Sequence, residues 1–222
     1  MAMVSLKVQP LSLGRRREPF SHPEWLFEIK WDGFRAVAHL EYGRCRLISR
    51  NGNEFKSFKI LNEQLPKEVR AQSAILDGEI VCLDESGKSQ FRDLLFRRGE
   101  PRFVAFDLVS CDGQDLRYQS LIERKLKLRS IVARKTDRLL YCDHVEADGE
   151  QLFRFACDED LEGIVAKRKS DPYLTDHAQW LKIRNQSYSQ WIGREELFER
   201  ERGADPDLSF WDDCTVACIE QG

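Results

Sequence analysis

The sequence predicts a single α+β domain of mainly antiparallel sheets flanked by helices. Two observations lead to this class: short strand-like stretches recur along the chain, and a few stretches between them have a helical pattern. A third observation argues against several domains, because no internal repeat or low-complexity segment divides the 222 residues. A chain of this length can bury one substantial core.

The chain begins with a segment that differs from the rest. Residues 1–24 contain three prolines and few periodic apolar positions, which is typical of an extended arm. We expect the folded domain to cover residues 25–190 and a charged extension to cover residues 191–222. Within this extension, residues 194–203 are helix-like and highly charged.

Strands are expected throughout the domain. Residues 25–40 are rich in aromatic and β-branched side chains and are interrupted at Gly33, which indicates two strands meeting at a sharp bend. Residues 44–49 alternate polar and apolar, and Asn51-Gly52 then supplies a turn. Further strands are expected at residues 74–83, 102–109, 163–167 and 180–184.

Two stretches have a helical pattern. Ser120 is followed three residues later by Glu123, a capping-box signature that predicts a helix from this point to about residue 133. The apolar face of this helix is expected to consist of Leu121, Ile122, Leu126, Leu128 and Val132. Residues 148–157 form the second predicted helix.

Composition and charge exclude several classes of protein. No apolar run approaches the roughly 18 residues that cross a bilayer, and the first 17 residues lack the pattern of a signal peptide, so we expect a cytoplasmic protein that does not contact a membrane. The seven cysteines are odd in number and scattered, which is typical of reduced thiols. Cys214 and Cys218 stand four apart, but no second pair has zinc-site spacing, so a structural zinc is not expected.

The net charge of −3 argues against a protein that coats nucleic acid through bulk charge. Basic clusters at residues 15–17 and 167–169 still allow a local basic groove. A short charge run is more often a solvated face, so neither cluster decides the function.

The first segment that suggests chemistry is Lys30-Trp31-Asp32-Gly33-Phe34-Arg35. Residues two apart on a strand share a face, so Lys30 and Asp32 are expected to point the same way, and Gly33 allows a bend or a close approach. An amine would then be presented at a strand end. By itself the K-x-D-G pattern is weak, since a surface lysine before a turn is its commoner meaning.

Five later segments give this pattern its weight. They are residues 49–52 (SRNG), 77–79 (DGE), 106–107 (FD), 162–167 (EGIVAK) and 180–184 (WLKIR). In order and approximate spacing, the six segments resemble the covalent nucleotidyltransferases. The chain is most similar to ATP-dependent DNA ligases, especially the ligase domain of bacterial and archaeal end-joining ligases, over about residues 28–184. This resemblance implies the ATP-grasp-like nucleotidyltransferase fold of a DNA ligase adenylation domain.

The resemblance implies a role for each basic residue of these segments. Lys30 resembles the lysine that attacks the α-phosphorus of ATP and becomes covalently adenylated. Arg35 and Arg50 resemble the arginines on the ribose and phosphate side. The remaining cations resemble those around the α-phosphate: Lys182, with Lys167 as a second candidate, and Arg184, which stands where many relatives have another lysine. Guanidinium and ammonium groups are not equivalent at a phosphate.

The other site residues implied by the resemblance are acidic or aromatic. Glu79 resembles the carboxylate that fixes the ribose hydroxyls, and Glu162 the one that holds Mg²⁺ or Mn²⁺. Phe106 resembles the aromatic that stacks on adenine, and Glu28 a residue near the adenine amino edge. Each could instead be structural: Phe106 a core residue, Glu79 a solvent-facing carboxylate and Lys182 an edge-strand lysine. Asp77 and Asp107 remain open between a structural and a supporting role.

In the same family an oligonucleotide-binding barrel normally follows the adenylation domain. Only 38 residues follow Arg184, and they do not read as successive strands, so we expect this barrel to be missing and a repair-protein partner to be a possible source of it. The expected substrate is nicked duplex DNA. Two alternatives remain: an RNA ligase or capping-type nucleotidyltransferase, and a non-catalytic nucleotide- or DNA-end-binding accessory protein. An intact Lys30 argues against the accessory protein.

Overall fold

The structure is a computed structural model that describes residues 8–133 and 136–194. Its helices are α1 (Lys59–Glu68), α2 (Phe91–Leu95), α3 (Leu121–Ile131) and α4 (Gly149–Asp158). Its strands are β1 (Leu13–Arg15), β2 (His22–Ile29), β3 (Phe34–Glu41), β4 (Arg44–Ser49), β5 (Ser73–Cys82), β6 (Pro101–Cys111), β7 (Gln114–Asp115), β8 (Leu139–Tyr141), β9 (Val145–Ala147), β10 (Gly163–Arg168) and β11 (Trp180–Arg184). None of the described helices is long and apolar enough to span a membrane.

The strands form two sheets. The first sheet has the order β1-β11-β10-β2-β9, and the second has the order β4-β3-β5-β6-β7 with β8 paired to β6. All pairs are antiparallel except β1 with β11 and β6 with β8. The predicted class of mainly antiparallel sheets flanked by helices is therefore confirmed.

The core lies in three layers. A cluster that includes Leu26, Val37 and Val104 fills the space between the two sheets. The outer face of the first sheet packs through Phe27 and Ile164 against α4, and the outer face of the second sheet packs against α1 and α2. Because side chains alternate along β2, Leu26 and Phe27 serve different layers.

The bend at Gly33 connects the two sheets. β2 belongs to the first sheet and β3 to the second, so the two strands predicted to meet at this glycine do not pair with each other. A Cβ atom at Gly33 would lie 2.0 Å from the carbonyl oxygen of Ile80 on β5. Glycine is needed here because the backbone passes directly against the neighbouring strand.

A bulge interrupts the pairing of β5 with β6. Asp77 is opposite Asp107, but Gly78 is opposite Ala105, which leaves Phe106 as an extra residue between two paired positions. A bulged residue breaks the simple alternation of the strand and re-aims its side chain. This is how a ring within an apolar strand comes to line the cleft described below.

Most predicted elements are present, with differences at their edges. Part of the predicted arm is integrated into the first sheet, since β1 pairs with β11 and β2 already begins at His22. The capping box at Ser120 and Glu123 is confirmed. Residues 195–203 of the predicted C-terminal helix lie outside the described residues, as do Cys214 and Cys218.

The predicted apolar face of α3 is wrong at Leu126, which is 65% exposed. Leu126 comes five residues after Leu121, and at about 3.6 residues per turn this spacing rotates it away from the core. The residues that α3 buries are Leu121, Arg124, Lys125, Leu128 and Ile131. The helix therefore carries two cations on its buried face, where the sequence predicted only apolar contacts.

Candidate active site

The register of the first sheet arranges the predicted site residues in rows on its inner face. One row runs across β2, β10, β11 and β1 and contains Glu28, Val165, Lys182 and Arg15. The next row contains Leu26, Lys167, Trp180 and Leu13. Cross-strand neighbours project from the same face, so residues distant in sequence are brought side by side.

A third row is centred on a glycine. The backbone N–H of Lys30 donates to the carbonyl of Gly163 at 2.9 Å, and Gly163 is paired with Arg184 on its other side. Gly163 has a φ of +133°, and a Cβ there would lie 2.1 Å from the carbonyl oxygen of Ile183. Both the left-handed conformation and the close approach require glycine.

Lys30 directly follows β2 and is held by a buried carboxylate. Its Nζ donates to Oε2 of Glu162 at 2.5 Å, and the Glu162 side chain is only 2% exposed. Burial raises the pKa of Glu162, although the ammonium of Lys30 acts in the opposite direction. Glu162 is therefore a carboxylate prepared to accept either a proton or a cation.

Two clefts meet at Lys30. The inner cleft, of about 370 Å³, lies between the two sheets. The first sheet lines it with Leu13, Glu28, Val165, Lys167 and Trp180, and the second lines it with Arg35, Glu79 and Phe106. The outer cleft, of about 690 Å³, is lined by Lys30, Asp32, Lys88, Phe155, Glu162 and Tyr188, among others.

Glu28 lies at the bottom of the inner cleft, between two lysines. It forms ion pairs with Lys167 at 2.5 Å and with Lys125, and all three side chains are at most 2% exposed. Burial alone would raise the pKa of Glu28, but the two ammonium groups outweigh burial and hold it below its usual value. Burial lowers the pKa of Lys167, and the contact with Glu28 does not fully offset it.

The aromatic wall of the inner cleft consists of Phe106 and Trp180, whose ring centroids are 5.9 Å apart. Two cations lie over these rings: the Arg35 guanidinium is 4.5 Å from the Phe106 centroid, and the Lys167 Nζ is 4.0 Å from the Trp180 centroid. Cations and stacked bases both favour the face of an aromatic ring.

Arg35 is fixed from behind by Asp77. Its Nε and NH2 atoms donate to the two oxygens of Asp77 at 2.7 and 2.6 Å, and the Tyr173 hydroxyl donates to the same carboxylate at 2.6 Å. Asp77 is fully buried and Arg35 reaches the cleft. Asp107 binds Arg124 of α3 in the same bidentate way, with both side chains fully buried. Asp77 thus supports a cleft residue, whereas Asp107 ties β6 to α3.

Glu79 lines the inner cleft and is paired in register with Arg35. Burial raises its pKa to about 8, and Lys30 and Arg35 limit the rise. A folded-state pKa above the unfolded value of 4.5 means that the folded chain binds the proton more tightly, so this group costs stability as pH rises from 4.5 toward 8.

Glu79→Gln is therefore expected to become more stable relative to the wild type between pH 5 and pH 9, because the glutamine never carries the partly buried charge. Thermal unfolding at these two pH values measures the effect, with the exposed Glu63→Gln as the control. A difference in Tm between Glu79→Gln and the wild type that stays the same at both pH values would contradict the raised pKa.

Three predicted site residues line neither cleft. Arg50 is exposed in the turn after β4. Because Ser49 pairs with Ala36 on β3, the backbone of the next residue, Arg50, lies beside that of Arg35. Lys182 lies on the inner face of the first sheet in the row of Glu28. The guanidinium of Arg184 lies over the Trp191 ring at 4.7 Å.

The three cations of residues 167–169 do not form a shared basic surface. Lys167 is buried in the inner cleft, Arg168 pairs with Glu24, and Lys169 pairs with Glu146. Successive residues of a strand project from opposite faces, so Lys167 and Arg168 of β10 do not lie in one patch.

The sequence missed three residues of the site: Lys125, Trp180 and Tyr173. The signal for Lys125 was present, because it stands four residues after Leu121 and three before Leu128, on the apolar side of α3. A lysine at such a position needs a buried partner, which is Glu28. No pattern in the sequence joined Tyr173 to Asp77, since 96 residues separate them.

The family model described as ATP dependent DNA ligase domain matches residues 16–184. The chain is 33% identical over 182 residues to the multifunctional non-homologous end joining protein LigD of Pseudomonas aeruginosa, covering 76% of this chain and 21% of that protein. It is 26% identical to the SPbeta prophage-derived DNA ligase-like protein LigB of Bacillus subtilis, covering 82% of this chain and 69% of that protein.

Among solved structures, mycobacterial DNA ligase D complexed with ATP and MES matches with a TM-score of 0.67 at 29% identity, covering 79% of this chain and 60% of that chain. The chain thus spans about a fifth of the length of the LigD protein it matches. The family model covers well over half of the chain, and the predicted resemblance is confirmed. The chain belongs to the family of ATP-dependent DNA ligase domains.

Proposed function

We propose that this chain transfers AMP from ATP to Lys30 and uses it to seal nicks in duplex DNA. The observation that carries the proposal is the position of the Lys30 amine. It lies where the inner cleft, suited to a nucleoside, meets the wider outer cleft, and it is bound by a buried carboxylate. A solvated surface lysine would have neither feature.

Adenosine would occupy the inner cleft. Phe106 and Trp180 supply aromatic faces, and base stacking on such a face contributes about 1–3 kcal/mol. Glu28 and its lysine partners lie at the depth of the cleft, where they would meet the edge of the base. Glu79 and Arg35 lie side by side on the second sheet, as groups that could bind the ribose hydroxyls and the phosphate.

The proposed step forms a bond between Lys30 Nζ and the α-phosphorus while the bond from that phosphorus to the bridging oxygen of pyrophosphate breaks. The amine must lose a proton first, and Glu162 is the carboxylate in contact with it. Pyrophosphate would leave toward the outer cleft, on the side of Lys30 opposite the nucleoside. Lys182 and Arg184 project from the same face and would neutralise phosphate charge.

Glu162 fits the proposed metal-binding role as a single protein ligand. Among the residues that the structure describes, no group of three or more His, Cys, Asp or Glu side chains could hold a metal. A Mg²⁺ or Mn²⁺ ion at Glu162 would therefore take most of its ligands from phosphate oxygens and water, as Mg²⁺ commonly does, and would neutralise phosphate charge.

The proposed macromolecular substrate is nicked duplex DNA. Arg15 and Lys182 share a row on the first sheet, and Arg16 and Arg17 continue from β1 beyond it. These residues are candidates for phosphate contacts, whose strength should fall with added salt. A repair protein that supplies an oligonucleotide-binding barrel remains a proposed partner. The cytoplasm, where ATP is present and thiols stay reduced, is the proposed location.

The test is incubation with labelled ATP or GTP and magnesium, followed by denaturation and detection of nucleotide bound to the chain. We expect labelling by ATP and at most weak labelling by GTP. Guanine carries an oxygen where adenine has its amino group, and that oxygen would meet the buried carboxylate of Glu28. Equal labelling by the two nucleotides would favour the capping-type alternative.

A further inference from the structure

The Asp32 carboxylate, two residues after the proposed nucleophile, is bound from the C-terminal side of the domain. Asp32 is 4% exposed and lines the outer cleft beside Lys30. The Tyr188 hydroxyl donates to its Oδ2 at 2.9 Å, and NH2 of Arg194 donates to Oδ1 and Oδ2 at 2.5 and 2.6 Å. The sequence predicts that Lys30 and Asp32 share a face, and both do line this cleft. Their charges nevertheless have different partners, because Lys30 binds Glu162 whereas Asp32 binds Tyr188 and Arg194.

Arg194 is itself held in place. Its guanidinium lies 3.9 Å from the Phe91 ring centroid and 4.7 Å from that of Trp191, and the residue is 6% exposed. Stacking between two rings orients a planar guanidinium in a way that a lysine could not reproduce.

The segment before Arg194 is anchored on both sides of the outer cleft. Ser189 donates from its backbone N–H to Asp160 at 2.9 Å. The Gln190 side chain accepts from the Phe91 N–H at 3.0 Å and donates to the Ser89 carbonyl at 2.7 Å. The segment thus joins the turn between α4 and β10 to the start of α2, which packs against the second sheet. Arg194 therefore reaches Asp32 from a fixed direction.

The other charged groups around Lys30 explain why the contact between Arg194 and Asp32 would affect the nucleophile. Asp32, Glu79 and Glu162 influence one another electrostatically, and Arg194 also acts on Glu162. An unbound Asp32 carboxylate in the same cleft would compete with Glu162 for the Lys30 ammonium. With Arg194 present, both Asp32 oxygens are occupied.

We propose that Arg194 is a positioning residue for the nucleophile: by binding Asp32 it leaves Glu162 as the carboxylate that orients Lys30. The role acts on the rate of attack and not on nucleotide affinity, because Asp32 and Arg194 lie outside the inner cleft that would hold adenosine. The inference rests on the proposed adenylation of Lys30 and adds a residue beyond the six matched segments.

The test measures single-turnover labelling of Lys30 by ATP, as a maximal rate and a half-saturating ATP concentration. Arg194→Gln is expected to lower the maximal rate per folded molecule at least tenfold with a half-saturating concentration within twofold of the wild type. The double variant Asp32→Asn with Arg194→Gln removes the charge that Arg194 held, and it is expected to regain at least threefold over Arg194→Gln. Thermal unfolding gives the folded fraction for each variant.

Arg117→Gln is the matched control, since Arg117 also contacts both oxygens of one carboxylate, that of Asp115, but lies away from both clefts. Its maximal rate should equal that of the wild type. The inference is overturned if the double variant is no faster than Arg194→Gln, if the loss follows the folded fraction, or if only the half-saturating concentration changes. If the wild type itself is not labelled at Lys30, the proposed function fails, which is a distinct result.

Discussion

Lys30→Arg is expected to abolish labelling by ATP, with a loss of at least roughly a thousandfold, as for removal of other enzymatic nucleophiles. Arginine keeps the positive charge that Glu162 binds, so the fold and the carboxylate are disturbed little. It does not lose its proton at working pH and cannot attack phosphorus. Quantifying chain-bound nucleotide after denaturation measures the loss.

Two controls make this result specific to the nucleophile. Lys88 also lines the outer cleft but pairs with Glu159 at 2.9 Å, so Lys88→Arg should be labelled at the wild-type rate. A nick whose 5′ end already carries AMP no longer needs a lysine for AMP transfer, so Lys30→Arg should still seal it. Persistent labelling of Lys30→Arg would show that another amine is the nucleophile.

Lys125→Met is expected to destabilise the fold by about 3–5 kcal/mol, the usual cost of removing one partner from a buried ion pair. Lys125 is fully buried, binds Glu28 and donates to the Cys142 carbonyl at 2.9 Å. Methionine fills a similar volume, so the loss comes from the charge and the hydrogen bonds. Chemical denaturation at pH 7 measures the change in the free energy of unfolding.

The control for this variant is Lys127→Met, an exposed position on the same helix, which should change stability by less than about 0.5 kcal/mol. The effect of Lys125→Met should also depend on pH. The pKa of Glu28 is lowered in the folded chain, so the stability from its ion pairs is present above its ordinary value of 4.5 and is lost as pH falls through the lower folded value. A difference between wild type and variant that persisted unchanged below that value would contradict the Glu28 contact.

The fold class and most strands could be predicted because hydrophobic periodicity is a local property. The strands β4 and β11 have the predicted bounds, and α4 differs by one residue at each end. Pairing is not local. The sequence showed a bend at Gly33, yet nothing in it indicated that β2 and β3 belong to different sheets. That arrangement depends on β5 and β10, which follow much later in the chain.

The candidate site was predictable to a similar degree and for similar reasons. Ordered motifs identified residues such as Glu28, Glu79 and Phe106, which the structure brings to one cleft. The motifs did not reveal supporting contacts, because Lys125 and Arg194 meet their carboxylates through separations of 97 and 162 residues. The role of each site residue remains a prediction for the experiments above.

The rows of the first sheet have a consequence for how this chain can change in length. Which face a side chain occupies depends on whether its position along the strand is odd or even. Adding or deleting one residue within β10 or β11 would turn Lys167, or Lys182 and Arg184, toward α4, whereas a substitution at the same place leaves their neighbours correctly aimed. We therefore expect β2, β10 and β11 to accept replacements but no single-residue insertion, and length variation to be confined to exposed turns such as Tyr42-Gly43 between β3 and β4.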